Sequence, residues 1–160
     1  MAAASYILDT GLHRRLVDSL YVEAMVMADE ARAYFDRLGA SDREALEPMS
    51  RIVFSCESLK VTTRLMHVIA WLLGQKAWQR GEIDTAILRE ERFSLGEAAA
   101  TEMHGIAHFP FAARALISGS GDLYDRVKRL ESRFWEGQAL APEMRHGPAH
   151  ALIDRLAKAF

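Results

Sequence analysis

The residues best placed to do chemistry are two histidine pairs, one cysteine and a polar line of mixed charge. His104 and His108 lie four positions apart, the spacing that turns two imidazoles toward one metal from a single helix face. Glu97 or Glu102 would supply a third ligand, and the reading would be a metal-dependent hydrolase. Gly105, however, stands where the glutamate of a His-Glu-x-x-His motif belongs. Ordinary loop histidines are the simpler expectation. His146 and His150 repeat the spacing, but Gly147 and Pro148 between them exclude a shared helix. Cys56, the sole cysteine, falls on a regular apolar face, where a free thiol packs as a small hydrophobe. It can form no internal disulfide, which suits a reducing compartment. No Gly-rich phosphate loop and no nucleophile elbow occurs. The residues point to a protein that binds other proteins, not to an enzyme.

The polar line is Glu57, Lys60, Arg64 and His67, spaced by three and four residues and continued by Trp71. One reading is a solvated strip, whose i,i+4 charge pairs are worth about 0.2–0.5 kcal/mol each. In the other, these residues are polar organisers or partner-binding groups, with Glu57 or Arg64 meeting carboxylates of the first helix or of another protein.

Helices must carry these residues. From Thr10 to Leu38, the residues Leu12, Leu16, Leu20, Ala24, Met27, Ala31, Tyr34 and Leu38 make one apolar stripe. Gly39 is placed to end that helix. Ser41 and Glu44 have the form of a capping box, and Pro48 either breaks a helix or opens one. From Met49 to Arg80, the residues Ile52, Cys56, Leu59, Thr63, Met66, Ala70, Leu73 and Ala77 form one face. Val53, Val61, Leu65, Val68, Ile69, Trp71, Leu72 and Trp78 make other faces apolar too. A helix apolar nearly all round needs cover on nearly all sides. The second subunit of a homodimer is the natural cover, with Val68, Trp71 and Leu72 expected at the dimer interface.

Ile83 to Phe111 reads as a connector packed on the long helices. Asp84 is placed to cap a short helix through Glu91, and Ala98 to Met103 has room for a turn or two more. A third long helix covers Phe111 to Glu136, with Gly119-Ser120-Gly121 either breaking or bending it. After Gly137, two prolines and a glycine between Ala139 and Ala149 suit a flexible linker. A terminal amphipathic helix bearing Leu152, Ile153, Leu156 and Phe160 follows; it is too short to be stable alone and needs a docking surface. The fold class is therefore all-α: a homodimeric three-helix bundle of long antiparallel helices over residues 1–137, with linker and tail over 138–160.

Composition agrees. A chain of 160 residues, half of them hydrophobic, suffices for one domain with a core of its own. The balance of 20 basic against 22 acidic groups leaves a net charge of -2, against the basic surplus of a nucleic-acid binder. A helical DNA-binding regulator is thus a weaker alternative. The longest nearly apolar run, Leu65–Leu73, is far short of the roughly 20 residues a membrane span needs. Met1–Ser5 lacks the basic start of an export signal. The expectation is a cytoplasmic protein with no nucleic-acid or membrane partner and no cofactor.

The block Ser55-Cys56-Glu57-Ser58-Leu59-Lys60-Val61-Thr62-Thr63-Arg64-Leu65-Met66, running on through Ala70-Trp71-Leu72-Leu73-Gly74-Gln75, resembles the signature helix of the RcdA family (regulator of CtrA degradation, DUF1465). Glu23 to Phe35 is similar to that family's first helix, and Ala113 to Leu116 to the start of its third. The resemblance spans roughly residues 15 to 136. It implies a homodimeric three-helix bundle from alphaproteobacteria that acts as a non-enzymatic proteolytic adaptor in the cell cycle. Such an adaptor joins a response-regulator adaptor on the ClpXP protease and delivers cargo such as CtrA, one route recruiting a further adaptor that senses cyclic di-GMP. The family's C-terminal tail bears on function, which makes Leu152, Ile153, Leu156 and Phe160 candidate partner-binding residues.

Overall fold

The computed structural model describes residues 10–145, with side chains over 11–139. All regular structure among them is helical. Three long helices, α1 (Thr10–Ala33), α3 (Pro48–Gln79) and α5 (Phe111–Arg145), are joined through the short α2 (Ala40–Glu44) and α4 (Thr85–Leu88). The tail residues Leu152, Ile153, Leu156 and Phe160 lie outside the described residues.

Side-chain pairs give the direction of each helix. His13 with Gln75 at one end and Tyr34, just past α1, with Phe54 at the other run α1 against α3, and His13 with Phe134 and Glu23 with Arg126 run it against α5. By contrast, Arg64 meets Ser120 while Trp78 meets Phe134, so α3 and α5 are parallel. The expected all-antiparallel arrangement is corrected here. Residues 80–110 must carry the chain back along the whole of α3. They do so partly as short helical turns at Thr85–Leu88, Glu91–Phe93 and Met103–Ile106. Between Ser94 and Glu102 the backbone is non-helical, because an extended chain spans about twice the distance per residue of a helix. The turn of helix expected at Ala98–Met103 is absent for that reason.

Local chemistry sets the boundaries. Beyond α1 the chain widens into a π-helical turn, Tyr34–Leu38, closed by a bond from the Gly39 N–H to the Tyr34 carbonyl at 2.6 Å. A Cβ on Gly39 would lie 2.9 Å from that oxygen, so the wide turn requires glycine. Ser41 and Glu44 fall inside α2, which has no side-chain cap; the capping box is not used. Pro48 opens α3 at its first turn. Asp84 caps α4 through the Ile87 N–H at 2.8 Å, but that helix ends at Leu88, not Glu91.

Helix α5 runs unbroken through Gly119-Ser120-Gly121. Of the three, Ser120 is fully buried, a Cβ on Gly119 would touch the Met27 side chain of α1 at 3.4 Å, and Gly121 faces open space. The helix also continues to Arg145, so residues 138–145 are helix and the linker expected from Ala139 is corrected.

The core joins Val17, Leu20 and Ala24 of α1 to Val61, Leu65, Val68 and Leu72 of α3 and to Ile117, Leu123 and Val127 of α5. In the first turns of α1, His13 and Val17 take the inward positions, leaving Leu12 and Leu16 exposed. Val68, Trp71 and Leu72 are 0%, 2% and 0% exposed. Their cover is this chain's own helices and connector, so they cannot form a face between subunits. Instead, the regular face of α3 points to water: Ile52, Leu59, Met66 and Leu73 are exposed, and so is Cys56, contrary to its expected burial.

Candidate functional site

The residues of the polar line do converge, on the extended connector. Arg64, 3% exposed, uses every donor it has. Its Nε and Nη2 clasp the Ala99 carbonyl at 3.0 and 2.8 Å, and Nη2 also reaches the Thr101 hydroxyl at 2.6 Å. Its Nη1 donates to the Ile117 carbonyl at 3.3 Å and to Ser120 Oγ at 3.2 Å. One guanidinium thus ties α3, the connector and α5 together. Burial pulls Arg64 below the usual arginine range, and the charges of Glu57 and Asp125 oppose that pull.

Glu57 is buried two turns closer to the start of α3. Its carboxylate accepts from the Thr101 hydroxyl and, at 2.8 Å, from Lys60 Nζ. Thr101 therefore bridges Glu57 and Arg64, which would otherwise be two charges set in a low-dielectric interior. Lys60 also reaches the Ala100 carbonyl at 3.4 Å. His67 Nδ1 donates to the Leu95 carbonyl at 2.6 Å. This is neither a solvated strip nor a pairing with α1 carboxylates.

Helix α5 completes the grip. Glu131 accepts the Leu95 N–H at 2.7 Å, and burial raises its carboxyl pKa while that bond, Lys128 and Trp71 lower it. The Tyr124 hydroxyl donates to the Gly96 carbonyl and accepts the Ala98 N–H at 3.2 Å. Gly96 has φ +70, and a Cβ there would lie 3.0 Å from the His67 ring, so both conformation and space demand glycine. Main-chain atoms of Leu95, Gly96, Ala98, Ala99 and Ala100 are each held by a side chain. The connector is gripped as a peptide is gripped in a groove, by its backbone.

Sequence reasoning found the α3 half of this cluster and missed Thr101, Tyr124, Glu131 and Ser120. The available signal was the charge of Glu57 and Arg64 within an otherwise apolar helix, which requires buried partners somewhere. The histidine site does not assemble. His104 and His108 are exposed; His104 lies 3.6 Å from Glu102 and His108 contacts Ser50 at 3.0 Å. Among the described residues no three His, Cys, Asp or Glu side chains could hold a metal ion together, and no helix is long and apolar enough to cross a membrane.

A second feature is the exposed face of α3. Ile52, Cys56, Leu59, Thr63, Met66, Ala70 and Leu73 follow one another by alternating steps of four and three. That is the heptad spacing of a helix–helix seam, lying opposite the face that enters the core.

The described residues thus make an all-helical fold with a buried polar clamp on one side of α3 and an exposed heptad face on the other. The family described as "Protein of unknown function (DUF1465)" matches residues 8–160, and the chain belongs to it. Among solved structures the chain is similar to "RcdA from Caulobacter crescentus CB15", at 32% identity and a TM-score of 0.58, over 74% of this chain and 89% of that one. No curated protein matches.

Proposed function

We propose that this chain is a non-enzymatic proteolytic adaptor like RcdA, cytoplasmic and homodimeric, that tethers cargo to the ClpXP protease together with a response-regulator adaptor. The observation that carries the reading is the likeness to RcdA at 32% identity. The exposed α3 face supports the dimer part. Ile52, Leu59, Met66 and Leu73 form a seam that a second α3 would cover, and it replaces Val68, Trp71 and Leu72 as the proposed interface. Cell-cycle regulators such as CtrA are the proposed cargo, with a cyclic di-GMP-sensing adaptor as a further partner. Leu152, Ile153, Leu156 and Phe160 are the proposed partner-binding residues of the tail.

Tethering acts through effective concentration: one body bound to cargo and protease at once makes capture intramolecular. That role needs surfaces and a rigid frame, not a reacting group. The clamp of Glu57, Arg64 and Thr101 supplies rigidity on this reading. The test is affinity capture of the tagged chain from its own cells, with and without residues 146–160. Recovery of the protease and a small response regulator with both forms, and of cargo only with the full chain, is the expected result. Recovery of neither partner with either form sinks the adaptor reading.

A further inference from the structure

We propose that the cavity between the start of α1, the end of α3 and the later turns of α5 is a binding site for an extended peptide of a partner, which inserts one large apolar side chain. The cavity measures about 430 Å³ and is lined by His13, Arg14, Trp78, Gln79 and Phe134, among others. That is within the usual size of a ligand pocket. Its walls are aromatic: His13 stacks on Phe134 at 5.0 Å and 24°, and Trp78 meets Phe134 edge-on at 5.1 Å.

The polar atoms identify the ligand. His13 Nδ1, Gln75 Nε2 and Gln79 Nε2 are buried with no hydrogen-bond partner, and among the described residues no other side-chain atom is. Folded proteins leave very few such atoms, and each one needs an explanation. His13 and Gln79 line the cavity, and Gln75, 0% exposed, is bonded to His13 without lining it. His13 Nε2 bonds Gln75 Oε1 at 2.9 Å. With the proton on that nitrogen, Nδ1 is a bare acceptor and the two amides are bare donors. Rotating the Gln75 amide and moving the imidazole proton exchanges roles but still leaves a donor and an acceptor.

A peptide unit is the complement of that set. Its carbonyl accepts from a glutamine amide and its N–H donates to the imidazole. A carboxylate would satisfy the amides but oppose the imidazole lone pair, and burial holds His13 below its ordinary pKa, in the neutral form. A purely apolar ligand would leave the His13 and Gln79 atoms unmet. Arg14, exposed at the mouth, favours an acidic residue beside the apolar anchor. The assignment stands on this cavity alone and not on the adaptor role.

The probe is N-acetyl-phenylalaninamide, an aromatic side chain between two peptide units. It is titrated into the full chain while the Trp78 indole N–H is followed by NMR; that proton is observable through its bond to Thr85. Saturable binding with a dissociation constant on the order of 1 mM is expected for a ligand of this size, and weaker binding for the free acid N-acetyl-phenylalanine. Gln79→Leu should weaken binding about tenfold or more and yet raise Tm by a few degrees, because it removes an unpaired buried amide. His13→Phe, which keeps the stack on Phe134, should weaken binding likewise. No saturable shift, or equal affinity in both variants, overturns the site. So does a lower Tm for Gln79→Leu, which would mean that the amide is already satisfied. Binding that appears only after Tyr6, Ile7 and Leu8 are changed to serine also overturns it, and assigns the cavity to the chain's own first residues.

Discussion

Arg64 joins α3, the connector and α5 through its guanidinium. Replacing it with alanine strands the Ala99 carbonyl and leaves Glu57 buried with one cation fewer nearby. Breaking one side of a buried charged network costs about 3–5 kcal/mol, and Arg64→Ala should fall there by urea denaturation. Arg64→Lys should recover less than half of the loss, since an ammonium cannot clasp one carbonyl with two N–H groups while reaching Ser120. The glycines divide in the same way. Gly96→Ala should cost about 1–3 kcal/mol, from its positive φ and the His67 ring. Gly121→Ala, in mid-helix with open space around its Cβ position, should instead gain about 0.5–1 kcal/mol by the same assay.

His13 makes stability depend on pH. Burial lowers its pKa from the ordinary 6.5, with the Gln75 bond opposing, so the folded chain favours the neutral ring. A lowered folded pKa means that the unfolded chain takes up the proton first as pH falls. The contribution is therefore complete above about pH 6.5 and is lost as pH drops through the folded value. Thermal melts from pH 7.5 downward should show this slope, and His13→Phe should flatten it.

At the scale of elements, α3 carries two apolar faces with opposite fates. Helical spacing alone showed that both exist. It did not show which is which, because apolar residues recur at helical spacing on each. The deciding marks are polar: Glu57, Arg64 and Gln75 lie on the inward face, and the cleanest apolar heptad was left outside. Periodicity found the helix, and the buried charges would have oriented it. Leu59→Glu should therefore lower the oligomeric state in analytical ultracentrifugation with little loss of Tm, since that side chain is 67% exposed. Val68→Glu should unfold the chain instead. If Leu59→Glu leaves the sedimentation coefficient of an oligomer unchanged, the seam is not the interface. The connector gives a different readout. Its Leu95 and Ala98 N–H groups are held by Glu131 and Tyr124, so both should exchange slowly in deuterium although neither lies in a helix.

For the whole molecule, the helical class and the three long segments were legible because each runs for many turns of sustained periodicity. Helix direction was not. Short loops imply antiparallel neighbours, but nothing in residues 80–110 announces that the chain returns along α3 before α5 begins. The Ala98-Ala99-Ala100 run has high helix propensity and reads as helix. Backbone bonds from Arg64, Lys60 and Tyr124 override that preference, and these partners lie 26 to 40 residues away in sequence. The clamp was half legible for the same reason: its α3 side chains have local spacing, whereas its acceptors come from distant carbonyls.

The parallel course of α3 and α5 also orders events on the ribosome. α1 and α3 are near neighbours in sequence and can pair as soon as both have emerged. Of the three long helices α5 is made last, and at about 5–20 residues per second its 35 residues take roughly 2–7 s to appear. During that wait the side of α3 destined for α5 is bare. Arg64 lies on that side, with Glu57, Lys60 and His67 beside it on the strip the connector covers, so the nascent chain shows water charged groups next to its apolar ones. The connector, made before α5, seals those charges first, and Arg64 then locks α5 in place when it arrives.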